Sequence, residues 1–263
     1  MIRNLFCIAV AIVWSLICFV LAALSIILTG FKPSSSMFVV RKVWSPVLLW
    51  AGGATLRVDG LENIADGKPH VYVSNHQSTI DIPTLFMALP VDLRFAAKKS
   101  LKWVPAIGWY MMLAKFVFID RSNHREAVAS LDAGGAQIRS GVNIIMFPEG
   151  TRSDDQRVLP FKKGPFALAT KAGVGVVPVT IEGSGALMPK NSWKITPGVI
   201  HVRVGKPINP APFGESREGL MVAVRDVIIE QSLAMGGKGG DKQNAVAAKG
   251  LEGVGRDSSE AKA

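Results

Sequence analysis

The stretch "NIIMFPEGTRSDDQRVLPFKKGPFALATKAGVGVVPVTI", residues 143–181, decides the fold class. It opens on an apolar, β-branched run (143–147) and closes on another (175–181), the pattern of buried strands. Between them, 164–172 has the length and composition of a helix. A strand, a helix and a second strand in that order imply a crossover between parallel strands. The same alternation extends upstream. "HVYVS" (70–74), "LRFAA" (93–97) and "KFVFID" (115–120) read as strands, as does "VIHVRV" (199–204) downstream. Segments 81–89, 103–113 and 123–139 read as helices, with Asn123 and Glu126 as a capping pair and Gly141 as the stop. The expected fold is therefore α/β, a mostly parallel sheet flanked by helices.

At 263 residues the chain is long enough for one sizeable core plus accessory segments. Thirty Lys and Arg against twenty Asp and Glu give a formal charge of +10, which calls for a negatively charged partner. Nucleic acid is the weaker candidate, because the basic residues are scattered and no helix-turn-helix, zinc-finger or RNP pattern occurs. Cys7 and Cys18 form neither a metal-ligand spacing nor a disulfide framework. From Leu5 to Leu28 no residue is charged, and the run exceeds the ~20 residues that cross a bilayer as a helix. A cleaved signal peptide would have a shorter apolar core, so a retained membrane helix is expected. A second apolar stretch, 37–56, is broken by Arg41, Lys42 and Pro46. It carries Trp44 and Trp50, which suit the headgroup depth of a helix lying on the membrane. A linker helix packed on the soluble domain fits it nearly as well. The chain thus divides into membrane-anchoring helices (1–56), a catalytic-sized domain (57–235) and a tail (236–263) too poor in apolar residues to order.

Two clusters of chemistry-bearing residues follow strand ends. In "NHQSTID" (75–81), His76 and Asp81 meet only if His76 lies in the turn before a helix and Asp81 in its first turn. Ser78 or Thr79 as cap and Pro83 in the first turn permit that. Asp81 would then hold Nδ1–H of His76 and free Nε2 to take a proton. Spacing alone leans toward a capping Asp beside a solvated loop His. In "FPEGTRS" (147–153), a glycine beside hydroxyl and guanidinium groups suits a phosphate, and equally an ordinary polar turn. Arg121, and Lys162 with Lys163, also precede helices. Ligands of parallel sheets gather at such carboxyl ends.

These segments carry a resemblance. "NHQSTID", "FIDR" (118–121), "FPEGTRS" and "VPVTIEG" (177–183) resemble, in order, the four blocks of the glycerolipid acyltransferase family, and "AKKSLKWVPAIGW" (97–109) resembles the segment between the first two. The likeness spans roughly residues 55–210 and is nearest to the 1-acyl-glycerol-3-phosphate acyltransferases. That family usually carries Gly five residues before the second block's Asp, where this chain has Lys115. The resemblance implies that His76 is the general base on an acceptor hydroxyl and that Asp81 orients it. It places Arg121, Glu149, Gly150, Thr151 and Arg152 at the glycerophosphate, with Lys98 as a further anion or oxyanion contact. Pro178, Glu182 and Gly183 would shape the acyl end. It further implies acyl-CoA or acyl-carrier protein as donor, a lysophospholipid acceptor, no metal or cofactor, and a membrane location with the catalytic domain on the cytoplasmic side. Another lysolipid such as a lyso-ornithine lipid, a thioesterase, and a lipid-binding scaffold are the alternatives.

Overall fold

The computed structural model describes residues 2–119, 124–192, 194–214 and 216–240, apart from the side chains of 124–129. A seven-stranded sheet carries the fold. Its strands are β1 (Ala54–Asp59), β2 (Val71–Ser74), β3 (Leu93–Lys98), β4 (Val117–Ile119), β5 (Asn143–Met146), β6 (Val176–Glu182) and β7 (Gly198–Val204). They lie in the order β1-β7-β6-β2-β5-β3-β4. All neighbours are parallel except β6 and β7. The central strands β2, β5 and β6 are buried along their whole length, which explains why they read as continuous apolar runs instead of alternating ones.

Helices cover both faces. One face takes α4 (Asp81–Ala88) and α5 (Ile107–Leu113), with the N-terminal helices α1 (Ile2–Leu28), α2 (Ser36–Val39) and α3 (Ser45–Gly52) packed outside them. A π-helical turn, Val40–Trp44, joins α2 to α3. The other face takes α6 (His124–Arg139), α7 (Gly164–Ala172) and α9 (Arg217–Ala234). A short α8 (Ser184–Leu187) follows β6.

The expected strands and the helices around them are present, and three readings change. The helix expected over 37–56 stops at Gly52, because Gly53 adopts the left-handed conformation (φ 70°) and Ala54 begins β1. Trp44 is buried rather than interfacial. Its ring meets Phe19 of α1 and Phe86 of α4, and its Nε1 donates to Ser15 Oγ (2.9 Å). Trp50 stays exposed. The second apolar helix is thus seated on the domain, and with α1 it forms a hairpin. Residues 236–240, assigned to the tail by composition, are held: Gly237 N–H donates to Ser232 O (2.8 Å) and Val158 N–H to Gly239 O (2.8 Å). The rest of the expected tail, 241–263, lies outside the described residues, as does Asn123.

α1 turns a single stripe inward, Cys7, Cys18, Ala22 and Ile26, against α2, α3 and α5. Side-chain hydrogen bonds tie it down at Cys7 to Ala51 O (2.9 Å) and at Trp14 to Val43 O (3.2 Å). Its remaining surface, including Ile12, Val13, Leu16, Val20 and Leu24, is exposed and apolar.

Candidate active site

Five parallel strands deliver their carboxyl ends to one edge of the sheet, and the two chemistry-bearing segments emerge there side by side, because β2 and β5 are neighbours. Residues 75–80 leave β2 as a turn and enter α4 at Asp81. His76 therefore lies before the helix and Asp81 at its first position, the arrangement their spacing requires. His76 Nδ1 and Asp81 Oδ2 are 2.8 Å apart. The same Oδ2 accepts the main-chain N–H groups of Gln77 (2.8 Å) and Ser78 (2.9 Å), so the carboxylate itself closes the turn. The expected capping by Ser78 or Thr79 does not occur. Ile80 occupies the cap position without a side-chain bond, and Ser78 Oγ donates to Met188 O (2.7 Å).

Asp81 is fully buried, and its Oδ1 has no hydrogen-bond partner among the described residues. A carboxylate so poorly solvated stabilises a positive charge formed beside it more than it would in water. The imidazole of His76 lies flat on the Phe147 ring, centroids 3.8 Å apart and planes at 9°. Phe147 and Asp81 together fix the ring, leaving Nε2 without a protein partner among the described residues.

The turn is anchored from beneath. Asn75 Nδ2 donates to Ile181 O (2.9 Å) and its Oδ1 accepts from Ile181 N (2.8 Å). Glu149 Oε1 accepts the His76 main-chain N–H (3.1 Å). Glu149 was expected at the glycerophosphate, yet its carboxyl is buried and bonded to the histidine turn. Burial pushes it up to about 8, against the pull of the His76 amide and with the negative charge of Asp81 adding to the rise. Burial thus favours the uncharged form of Glu149 beneath the histidine turn.

The basic side of the site follows Glu149. Gly150 takes φ 71°, and the Lys162 side chain passes over it so closely that an added Cβ would displace the ammonium end. Thr151 is exposed. Arg152 Nη1 donates to Thr79 Oγ1 (2.9 Å), which places its guanidinium against the histidine turn. Lys190 Nζ donates to Arg152 O (2.9 Å) and fixes the same loop. Lys98 ends β3 on this edge, exposed and without a polar partner among the described residues. Arg121 lies outside the described residues.

Glu182, expected at the acyl end, is buried beneath the turn and bonded to Gln77 (3.0 Å). Gly183 (φ 90°) presses on the Val199 carbonyl, where a Cβ would overlap it. Asn75, Gln77, Phe147 and Lys190, given no role in the sequence reading, supply much of the site's rigidity. Lys162, read there as a cation ahead of a helix, lies over Gly150.

Lys115, where a glycine was expected, keeps a glycine's backbone. Its φ is 57°, and Lys115 N–H donates to Met112 O (3.1 Å) while Phe116 N–H donates to Met111 O (2.9 Å). Those paired bonds are the Schellman closure of α5. Arg94 Nε pins the preceding carbonyl of Ala114 (2.6 Å).

The chain is similar to known proteins in sequence and in fold. The family model described as Acyltransferase matches residues 55–182. A 1-acyl-sn-glycerol-3-phosphate acyltransferase of Saccharomyces cerevisiae is 34% identical over 215 residues, covering 80% of this chain and 70% of its own. The chloroplastic 1-acyl-sn-glycerol-3-phosphate acyltransferase BAT2 of Brassica napus is 38% identical over 193 residues, 73% of this chain. This chain spans about half of that longer relative (54%). The crystal structure of the 1-acyl-sn-glycerophosphate (LPA) acyltransferase PlsC from Thermotoga maritima superposes with a TM-score of 0.79 at 28% identity, over 91% of this chain and 97% of that one.

Proposed function

Because this chain belongs to the acyltransferase family, we propose that it transfers an acyl chain from a thioester to the free sn-2 hydroxyl of 1-acyl-glycerol-3-phosphate, giving phosphatidic acid. The donor is acyl-CoA or acyl-carrier protein. The observation that carries this reading is the His76–Asp81 pair set beside the basic loop 150–152. Nε2 takes the proton of the acceptor hydroxyl as its oxygen forms a bond to the thioester carbonyl carbon. The imidazolium is held by the buried carboxylate. When the tetrahedral intermediate collapses the carbon–sulfur bond breaks, and the thiolate leaves with the proton that Nε2 returns. No covalent enzyme intermediate forms. Arg152, Lys162 and Lys98 supply the cationic surroundings for the acceptor phosphate and the developing oxyanion.

The exposed apolar face of α1 suits a bilayer. Because that helix is hydrogen-bonded and packed along the domain, it fits immersion in one leaflet better than crossing both. Trp103 and Trp109, exposed beside Lys98 and Lys99, extend this surface toward the site.

The test is purified full-length protein with labelled acyl-CoA or acyl-carrier protein and a panel of acceptors: lysophosphatidic acid, other lysophospholipids, a lyso-ornithine lipid and monoacylglycerol. Lysophosphatidic acid should be strongly preferred, and Arg152→Ala should remove that preference, costing about 2–4 kcal/mol in transition-state stabilisation on the phosphorylated acceptor. Equal losses on charged and neutral acceptors would rule out the phosphate role. Thioester hydrolysis without any acceptor would favour a thioesterase.

A further inference from the structure

Glu182 ends β6 as a buried acid with no ion-pair partner among the described residues. Its Oε2 accepts from Gln77 Nε2 (3.0 Å) and its Oε1 from Ser232 Oγ (2.5 Å) of α9. Burial raises its titration point, those two bonds oppose the rise, and the Asp81 charge adds to it. A buried carboxyl is costly, and an apolar side chain of similar size would pack with less penalty. Its two oxygens, however, let one side chain hold donors from two separate elements at once.

Both donors lead somewhere. Gln77 is 1% exposed and uses its whole amide: Nε2 also donates to Gln156 O (3.2 Å), while Oε1 accepts from Gly185 N (3.3 Å) and Ser184 Oγ (3.4 Å). The main-chain N–H of this immobilised residue donates to Asp81 Oδ2, the oxygen that holds His76. On the other side, Ser232 Oγ accepts from Gly239 N (3.2 Å). The chain after α9 crosses directly over the Glu182 carboxyl at Gly237, where a Cβ would overlap it. It then pairs with Val158, in the stretch that follows the basic loop.

We propose that Glu182, seated on Ser232, is a positioning residue for the acyl transfer: it immobilises Gln77, whose main-chain N–H keeps Asp81 aligned with His76. The inference rests on the proposed function and brings into the site a helix beyond residues 55–182, the part the family model matches. Glu182 touches no reacting atom, and its influence passes through Gln77 alone.

The experiment compares Glu182→Met, Glu182→Gln and Ser232→Ala in the purified full-length protein, measuring acyl transfer to lysophosphatidic acid and the ¹⁵N-detected Nδ1–H resonance of His76. Glu182→Met should lower kcat by about tenfold while KM for the lysolipid stays within about twofold, since the basic loop is untouched. Glu182→Gln should restore most of the rate, because its carbonyl oxygen still accepts from Gln77 and its amide donates to Ser232 Oγ. Ser232→Ala deletes one oxygen and should fall between them, which keeps the test decisive if the methionine variant does not fold. The His76 resonance should match wild type in Glu182→Gln and shift or broaden in Glu182→Met. Wild-type kcat in both Glu182→Met and Ser232→Ala would overturn the proposal, as would a lowered melting temperature with an unchanged rate and resonance. If wild type transfers no acyl group to any lysolipid, the functional reading fails instead, and the resonance still reports whether Glu182 orders the pair.

Discussion

Asn75, past the end of β2, exchanges two hydrogen bonds with the main chain of Ile181 through its side-chain amide. The side-chain amide of Asn75 replaces a peptide group, giving and receiving one bond each. The chain is thereby free to turn away from the sheet at the residue before His76 while β6 keeps its ladder satisfied. Asn75→Ala should leave Ile181 N–H and C=O buried and unpaired, at about 1–3 kcal/mol for each group. We expect a loss of about 2–4 kcal/mol in unfolding experiments together with a fall in kcat. Unchanged stability would mean that water replaces the amide.

His76→Ala should reduce kcat by about 10²–10⁴ with acceptor binding near normal, the size of effect typical when a general base is lost. Asp81→Asn should also be severe. It removes the charge beneath the imidazolium and turns an acceptor of the Gln77 and Ser78 amides into a weaker one. Near-normal turnover in both variants would exclude general-base catalysis at this position.

Glu149 gives the protein a specific pH signature. An ordinary Glu in the unfolded chain titrates at about 4.5, and in the folded protein burial lifts it to about 8. Between those values the folded state holds a proton that the unfolded state has released. Stability from this group is therefore complete below about pH 4.5 and declines as pH rises through about 8, by up to about 1.4 kcal/mol per unit. Melting curves of wild type and Glu149→Gln from pH 5 to 8.5 should converge at the acid end only if the amide packs equally well. In any case the variant should lack this component of the decline. Parallel curves over the whole range would show that Glu149 titrates normally.

Lys115→Gly should stabilise the protein. A left-handed conformation costs a non-glycine residue about 1–2 kcal/mol, and glycine's extra freedom in the unfolded chain returns part of that. A net gain of about 0.5–1 kcal/mol is expected, measured by denaturant unfolding, with turnover unaltered. A loss of stability would mean that the aliphatic part of the lysine packs against the α5 terminus strongly enough to offset its strain.

Much of the architecture was legible because the central strands are buried on both sides and so appear as unbroken runs of Val, Ile and aromatic residues. β1 was missed for a physical reason: "ATLRVD" continues an apolar helix without a polar break, and only the left-handed Gly53 separates the two. α9 also went unassigned, since its Val- and Ile-rich inner face resembles strand composition. In the site, spacing and helix entry permitted the His76–Asp81 pairing, and only the resemblance to a known family favoured it over a capping Asp beside a solvated loop His. The inward turn of Glu149 could not be deduced, because it depends on a neighbouring strand 73 residues away. Nor could the burial of Trp44: Trp44 and Trp50 look alike in the sequence, but Trp44 is enclosed by Phe19 and Phe86, whereas Trp50 meets only the edge of Phe6 and stays exposed.

The hairpin that seats α1 also sets an order of events during synthesis. α1 and α2 leave the ribosome early, but the wall they rest against does not yet exist: Ser36 waits 74 residues for Tyr110, whose hydroxyl lies 3.3 Å from its own. At a translation rate of about 5–20 residues per second that interval is roughly 4–15 s. For all of it, α1 has only α2 and α3 to cover its inner stripe, and the part that α5 covers stays open. The seat of the hairpin is therefore finished late, only when α5 has been made and docked against it.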